Sequence, residues 1–335
     1  MTVAPSGNRP RSAVSHRGST TAWTLGAPAV VVLAAVAVAL SWRSELPDPI
    51  ATHWGLDGVD GFGPFGPNLA AHALIVAAFS LALWGLAFFA GRDSLTRRLC
   101  NSTAVGIAVL FSTVLVGNLS VQRGLTDATE AGDTGGVLIG AFVLATSLAV
   151  VAAWATPADP PLPATAPVPD DAPMLALHDD EHVAWVQQVG QGGTMIIVVS
   201  SATLVLVLEL GLGARMWAFA ALFAAVVGLL LVVMVRWTVT VDGEGLTLRS
   251  LLRHPRIRVP LDEVVAAEEV QVSPLREFGG WGLRTGRAGR TGVIVRKGPA
   301  LQVHRTGGRV FVVTVDDAAT GAALLNTLAT RARQG

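Results

Sequence analysis

The sequence predicts a polytopic α-helical membrane protein of six transmembrane helices, carrying a C-terminal β-rich domain closed by one helix. Three observations predict it. The chain is 51% hydrophobic and only 14% charged, whereas a soluble globular domain carries about a quarter charged residues. Six apolar runs approach the roughly 20 residues that a bilayer crossing needs. Beyond Arg236 the long runs stop and short alternating ones begin.

The six runs are 22–41, 69–90, 103–121, 136–155, 194–212 and 216–235. In lipid each must be helical, because nothing there pairs a free backbone N–H or C=O. The first is expected to be retained: its core from Ala27 to Leu40 is long for a signal peptide, and Ser41-Trp42-Arg43 is a poor cleavage site. Residues 1–21 read as a disordered tail. Arg9, Arg11 and Arg17 in that tail, and Arg92, Arg97 and Arg98 after the second run, outweigh the single arginines Arg43, Arg123 and Arg215 of the alternate loops. The positive-inside bias then places both termini in the cytoplasm and the loop 42–68 outside.

The membrane is expected to be a bacterial inner membrane. Arginine outnumbers lysine 23 to 1 and tyrosine is absent, a bias of high-GC bacteria. The zero net charge hides an asymmetry: residues 237–335 hold 14 Lys and Arg against 9 Asp and Glu, and residues 1–236 hold 10 against 15. A single cysteine, Cys100, excludes an intrachain disulfide framework.

Residues 22–155 form a four-helix module. The segment 156–193 reads as a Pro-rich linker, with seven prolines in the nineteen residues 155–173, followed by a short juxtamembrane helix in "HDDEHVAWVQQV". Proline density favours extended conformers over a packed core. A transmembrane hairpin, 194–236, leads into the domain 237–335. There "WTVTV", "LTLRSL", "RIRVP", "GVIVR", "LQVHR" and "RVFVVTV" read as strands. From Asp316 to Arg333, Ala319, Leu324, Leu325 and Leu328 share one helical face, with Asp316 or Asp317 as the cap.

The loop "LPDPIATHWGLDGVDGFGP", residues 46–64, is too rich in proline and glycine for a long helix or strand. Pro47 and Pro49 turn the chain abruptly out of the first span. Asp57-Gly58 and Asp60-Gly61 read as turns, and Trp54, Phe62 and Phe65 suit the interface. Two readings stand: a structured cap on the bundle, or a binding loop in which His53 and Asp60 contact an envelope or peptide ligand. Asp57, Asp60 and His53 do not follow a calcium-loop spacing.

This loop resembles the module at the head of SdpI-like membrane immunity proteins. Leu46, Pro47, Pro49, His53, Trp54, Gly58, Asp60 and Phe62 carry the match, with Ala51 where the family often has proline. The resemblance implies a ligand-binding role for Pro47, Pro49, His53, Trp54, Gly58 and Asp60. The hairpin followed by strands and a terminal helix resembles bacterial pleckstrin-homology-like domains, with "FGGWGLR" and "FVVTVDDAATGAALLNTL" similar to actinobacterial members. Neither family implies a catalytic reaction.

In that domain Trp281, freed by Gly279, Gly280 and Gly282, is followed by Arg284, Arg287 and Arg290. An aromatic flanked by arginines suits an anionic lipid surface or a protein partner. Nucleic acid is not expected, since no aromatic base-stacking pattern occurs in the strands. "HDDEH" at 178–182 spells an inverted zinc-protease motif, but a Pro-rich linker supplies neither a third ligand nor a walled cavity. Glu209 is expected to pair with Arg215 at the interface. No catalytic residue, metal or cofactor is expected. A non-enzymatic role in sensing, immunity or scaffolding is favoured over a transporter or channel, since paired acids, broken helices and inverted repeats are lacking.

Overall fold

The computed structural model describes residues 14–55, 58–178, 181–190, 193–213, 217–253 and 255–334. The chain divides into two compact units. One contains His16–Ala158 and Gly193–Val232, the other Asp159–Gly192 and Val233–Gly335.

In the first unit, α1 (Arg17–Ser41), α2 (Phe65–Ala90), α3 (Ser94–Ser120) and α4 (Gly135–Ala155) are long and apolar enough to cross a membrane, at 25, 26, 27 and 21 residues. Helix α1 begins inside the tail expected to be disordered. It contains a π turn over Ala22–Gly26, just before Pro28. Proline has no N–H for the carbonyl one turn back, and a wider turn accommodates that gap. Helix α3 packs against α1, α2 and α4. Small residues permit the close approach to α4: Gly106 faces Ala149 and Gly117 faces Val137.

Helix α3 starts nine residues before the apolar run expected at 103. Asp93 caps it by accepting the Leu95 N–H at 2.9 Å. Arg97 and Asn101 in its first turns are buried because they serve neighbouring chain ends. Arg97 donates to the carbonyls of Gly91 (2.9 Å) and Pro157 (3.1 Å), and Asn101 donates to the Thr156 hydroxyl at 2.9 Å. Two further apolar helices belong to this unit. Helix α5 (Gly193–Leu208) continues as a π turn over Glu209–Gly213, and α6 spans Trp217–Val235. Their apolar stretches, Ile196–Gly211 and Trp217–Val233, are shorter than those of α1–α4. Phe219 meets Phe142 of α4 edge-on at 5.9 Å. Arg215 lies outside the described residues.

The second unit is β-rich and ends in a helix. One sheet has the order β3 (Trp185–Gly190), β4 (Arg236–Asp242), β5 (Gly245–Ser250), β6 (Arg256–Val259), all antiparallel. The other has the order β7 (Val264–Val272), β10 (Gly298–Arg305), β11 (Arg309–Thr314), β9 (Thr291–Ile294), β8 (Gly282–Thr285), with β9 and β11 parallel. A short helix α7 (Pro274–Phe278) and the terminal helix α8 (Ala318–Gln334) complete it. The core gathers Trp185, Trp237, Val239, Leu246, Leu301, Phe311, Leu324 and Leu325 from both sheets and α8. The face of α8 is rotated from expectation: Ala318 is buried and Ala319 exposed.

Residues 156–193 depart from the expected linker and juxtamembrane helix. Residues 185–190 are strand β3, paired along its length with β4, so that Gly190 stands opposite Arg236. Trp185 is buried rather than laid on a membrane, and its indole donates to Asp317 at 3.3 Å. The Pro-rich stretch forms neither helix nor strand, and it is docked along α8 as a strap. Prolines lack an N–H, so few of its carbonyls find a local donor, and α8 supplies donors: Arg333 to Ala166 (3.0 Å) and, just beyond the prolines, Arg331 to Leu177 (2.8 Å) and His178 (2.7 Å). Val168 joins the core. The domain therefore starts near Asp159 rather than at 237, and the α5–α6 hairpin is an insertion between two paired strands.

Candidate functional site

The loop between α1 and α2 folds into two strands, β1 (Ile50–Gly55) and β2 (Gly58–Gly63), antiparallel from Ile50 opposite Gly63 to Gly55 opposite Gly58. Asp60 and Gly61 thus lie in a strand and not in a turn. Residues 56 and 57, where the turn itself falls, are outside the described residues.

The base of this hairpin is sealed onto the bundle. Ile50 packs with Ala39, Leu46, Phe65 and Leu119, with Trp42, Leu69 and Leu115 around them. Gln122, at the end of α3 and fully buried, clamps β1. Its Oε1 accepts the Ala51 N–H at 2.7 Å, and its Nε2 donates to the carbonyls of Ala51 (3.0 Å) and Asn118 (2.8 Å). A strand edge that would otherwise leave two polar groups unmet is closed by one amide. Arg123 pairs with Glu45 at 2.7 Å and lies over the Trp42 ring at 4.5 Å. Arg43 pairs with Asp48 at 2.9 Å and lies over Phe65. Gln122 and this Arg123–Glu45 pair escape sequence reasoning, although a polar Gln-Arg pair directly after an apolar span was a visible signal.

The tip presents a side-chain pair. A bulge at His53 shifts the register, and its Nδ1 meets the Asp60 carboxylate at 2.5 Å, with 72% and 56% of the two side chains exposed. Two glycines make room. A Cβ on Gly61 would stand 2.7 Å from the His53 Cβ, and one on Gly55 would strike the Asp60 carboxylate. Gly58 closes the strands with φ 115°, which glycine adopts freely.

The six residues expected to bind ligand thus separate. Pro47 is buried, and Trp54 is half-buried with its indole donating to the Gly132 carbonyl at 3.1 Å. Pro49, which follows a cis peptide bond, is exposed with His53, Gly58 and Asp60. His72 is buried against the Ser112 hydroxyl of α3 at 3.3 Å.

In the β-rich unit the expected basic surface is only partly open. Trp281 is half-buried, and its carbonyl accepts from Arg284 at 2.8 Å. Arg287 is exposed. Arg290 is half-buried, bonded to Glu277 at 2.8 Å and lying over Phe278 at 5.2 Å. Burial raises the Glu277 pKa, but the Ser273 N–H and Arg290 outweigh it and hold the carboxyl below its usual range. The His178 N–H donates to the Glu181 carboxylate at 3.2 Å. Asp179 and Asp180 lie outside the described residues. Among the described residues no three His, Cys, Asp or Glu side chains are grouped to hold a metal ion.

No curated protein and no solved structure matches the chain. A family described as a domain of unknown function, DUF1648, and found in membrane proteins, matches residues 29–77, the stretch from within α1 through the hairpin to within α2.

Proposed function

We propose that the chain is a non-enzymatic protein of a bacterial inner membrane, crossing it six times with both termini in the cytoplasm and the β1–β2 hairpin outside. In this reading the hairpin meets an envelope or peptide ligand, and the β-rich unit meets lipid or a cytoplasmic protein, in a sensing, immunity or scaffolding role. The observation that carries it is the exposed His53–Asp60 pair on a buried, clamped base. A cap needs the base but has no use for a titratable pair at its tip. The match to residues 29–77, centred on the hairpin, and the resemblance to SdpI-like modules support the same segment.

Two measurements test it. Reporter fusions after Arg98 and Arg236 are expected to report cytoplasm, and fusions at Gly58 and Asp127 the outside; a cytoplasmic signal at Gly58 reverses the orientation. His53→Ala and Asp60→Asn are expected to abolish the cellular phenotype at unchanged protein level. Loss of abundance in place of a separable loss of function would reduce the hairpin to a cap.

A further inference from the structure

The β5–β6 connection reads "RSLLRHPRIR" over residues 249–258. At its tip Leu251 and Leu252 are 56% and 49% exposed, and Arg249, Arg253 and Arg256 around them are exposed as well. The strand register sets Arg249 directly opposite Arg256, an arrangement that like charges disfavour unless an anion screens them. Arg258 has Glu244 as its partner. Among the described residues no carboxylate forms an ion pair with Arg249, Arg253 or Arg256. Arg253 adopts φ 64°, a left-handed conformation that a non-glycine residue seldom takes, and its N–H closes the turn on the Ser250 carbonyl at 2.8 Å.

The position of this tip in its sheet gives it a partner. The Leu251 N–H donates to the Arg236 carbonyl at 3.0 Å. Arg236 is the residue that follows α6, and it stands opposite Gly190, beyond which the chain departs for α5. Both connections to the apolar hairpin therefore leave the sheet at the end where the two leucines lie. The opposite end of the same sheet carries the turn between β4 and β5, with Asp242 and Glu244. Apolar tip and unpaired arginines are at one end, carboxylates at the other.

We propose that Leu251 and Leu252, with Arg249, Arg253 and Arg256, form a membrane-docking loop that seats on an anionic lipid leaflet, the leucines entering the interface and the guanidinium groups meeting lipid phosphates. This rests on the reading above that α5 and α6 cross the bilayer. Guanidinium groups suit phosphate because they offer several donors in one plane. Two leucines and three arginines bind a free vesicle weakly, but a loop tethered at Arg236 is always at high effective concentration beside the surface. The assignment differs from the Trp281 surface, whose Arg290 is already paired.

The test uses the full-length protein in nanodiscs, in a Cys100→Ala background, with an environment-sensitive fluorophore on one introduced cysteine and a quencher attached to lipid. Leu252→Cys is expected to be quenched in discs of phosphatidylcholine with phosphatidylglycerol, and much less in phosphatidylcholine alone. Val232→Cys, inside α6, should be quenched in both, and Glu244→Cys in neither. Combining Arg249→Gln, Arg253→Gln and Arg256→Gln should remove the anionic-lipid dependence at Leu252→Cys, about fivefold in partition per arginine, while leaving Val232→Cys unchanged. Quenching at Val232→Cys without quenching at Leu252→Cys overturns the docking loop alone. An unquenched Val232→Cys overturns the six-crossing reading and the loop with it. A Leu252→Cys label shielded from aqueous quencher in native membranes, yet unquenched by lipid in the discs, assigns the tip to a protein and likewise overturns the proposal.

Discussion

Two buried amides, Gln122 in the membrane unit and Asn326 in the β-rich unit, perform one task in different settings. Each meets both the N–H and the C=O of a single alanine on an edge strand. Gln122 holds Ala51 of β1 at 2.7 and 3.0 Å, and Asn326 holds Ala267 of β7 at 2.7 and 2.8 Å. The remaining amide hydrogen goes to different places. In Gln122 it returns to its own helix at Asn118, and in Asn326 it reaches the Pro173 carbonyl of the strap at 3.0 Å. Gln122 thus fastens one hairpin to one helix end, whereas Asn326 joins three chain segments. The charges differ in the same sense. In the β-rich unit Glu263 is buried between Arg305 and Arg309 at 2.6 and 3.0 Å, while the hairpin carries His53 and Asp60 into solvent. Glu263 serves cohesion; the His53–Asp60 pair stays available at a tip.

The largest expected effect separates the two units. Residues 237–335 alone should fail to fold, because Trp185, Val189 and Val168 leave the core and β4 loses its partner β3. A chain joining 159–190 to 236–335 through a short Gly-containing turn should fold, since Gly190 already faces Arg236. Circular dichroism and hydrogen exchange on the two fragments decide this, and equal folding would return the strap to the status of a free linker. Next, Asn326→Leu leaves three main-chain groups unmet and should cost on the order of 4 kcal/mol, read as a lower melting temperature of the β-rich unit. Gln122→Ala should cost about 2 kcal/mol, because water can reach groups at the end of a bundle more readily than in a core. Its signature is faster exchange of the Ala51 amide. Equal costs would erase the contrast between the two clamps.

Smaller effects sharpen the contrast in charge. His53→Ala and Asp60→Asn should each change stability by less than about 1 kcal/mol, as for other exposed pairs. Chemical denaturation of the purified variants measures it. The smallest effect is a pH dependence at α8. The side-chain hydrogen bond with Thr320 holds the Asp317 carboxyl below its usual range against the opposing effect of burial, with the Thr320 N–H and the Trp185 indole adding to it. A depressed pKa contributes stability that is present above the unfolded carboxylate value of about 4 and lost as pH falls through the folded value. The melting temperature of wild type should therefore fall more steeply than that of Asp317→Asn in acid.

The candidate site was half legible. Residue types alone singled out His53 and Asp60, because a histidine and an aspartate in a Gly-rich loop between apolar spans stand out. Their pairing was not legible, since it depends on a bulge that breaks the alternation of β1. Gln122 was invisible as a clamp because its partner Ala51 lies 71 residues away. The Trp54 indole is tied to the Gly132 carbonyl, a contact across 78 residues that no local signal announces. Leu251 is the last residue of the strand expected in "LTLRSL" and Leu252 lies beyond it, and only the hydrogen bond from the Leu251 N–H to Arg236 gives the tip a location.

Hydrophobicity by itself determined that the chain has helices long and apolar enough to cross a membrane, where they lie to within a few turns, and that a β-rich region with a closing helix follows them. Such features are local: apolar length selects a crossing helix, and β-branched alternation selects a strand. Tertiary structure decided what competes with local preference. "VVAAEEVQV", with its alanines and glutamates, has helical propensity, yet it is strand β7 because β10 pairs with it throughout. "WVQQVG" could follow either period and is strand β3 because β4 offers its edge across a gap of 45 residues between Gly190 and Arg236. The prolines of 157–173 oppose a helix, but whether the chain from there to Leu177 floats or docks depends on Arg331, Arg333, Thr327 and Asn326 of α8, which meet its backbone groups only once the helix has packed. Pairing across a long interval of sequence leaves no period to read, because the partner that satisfies each backbone group is chosen in space.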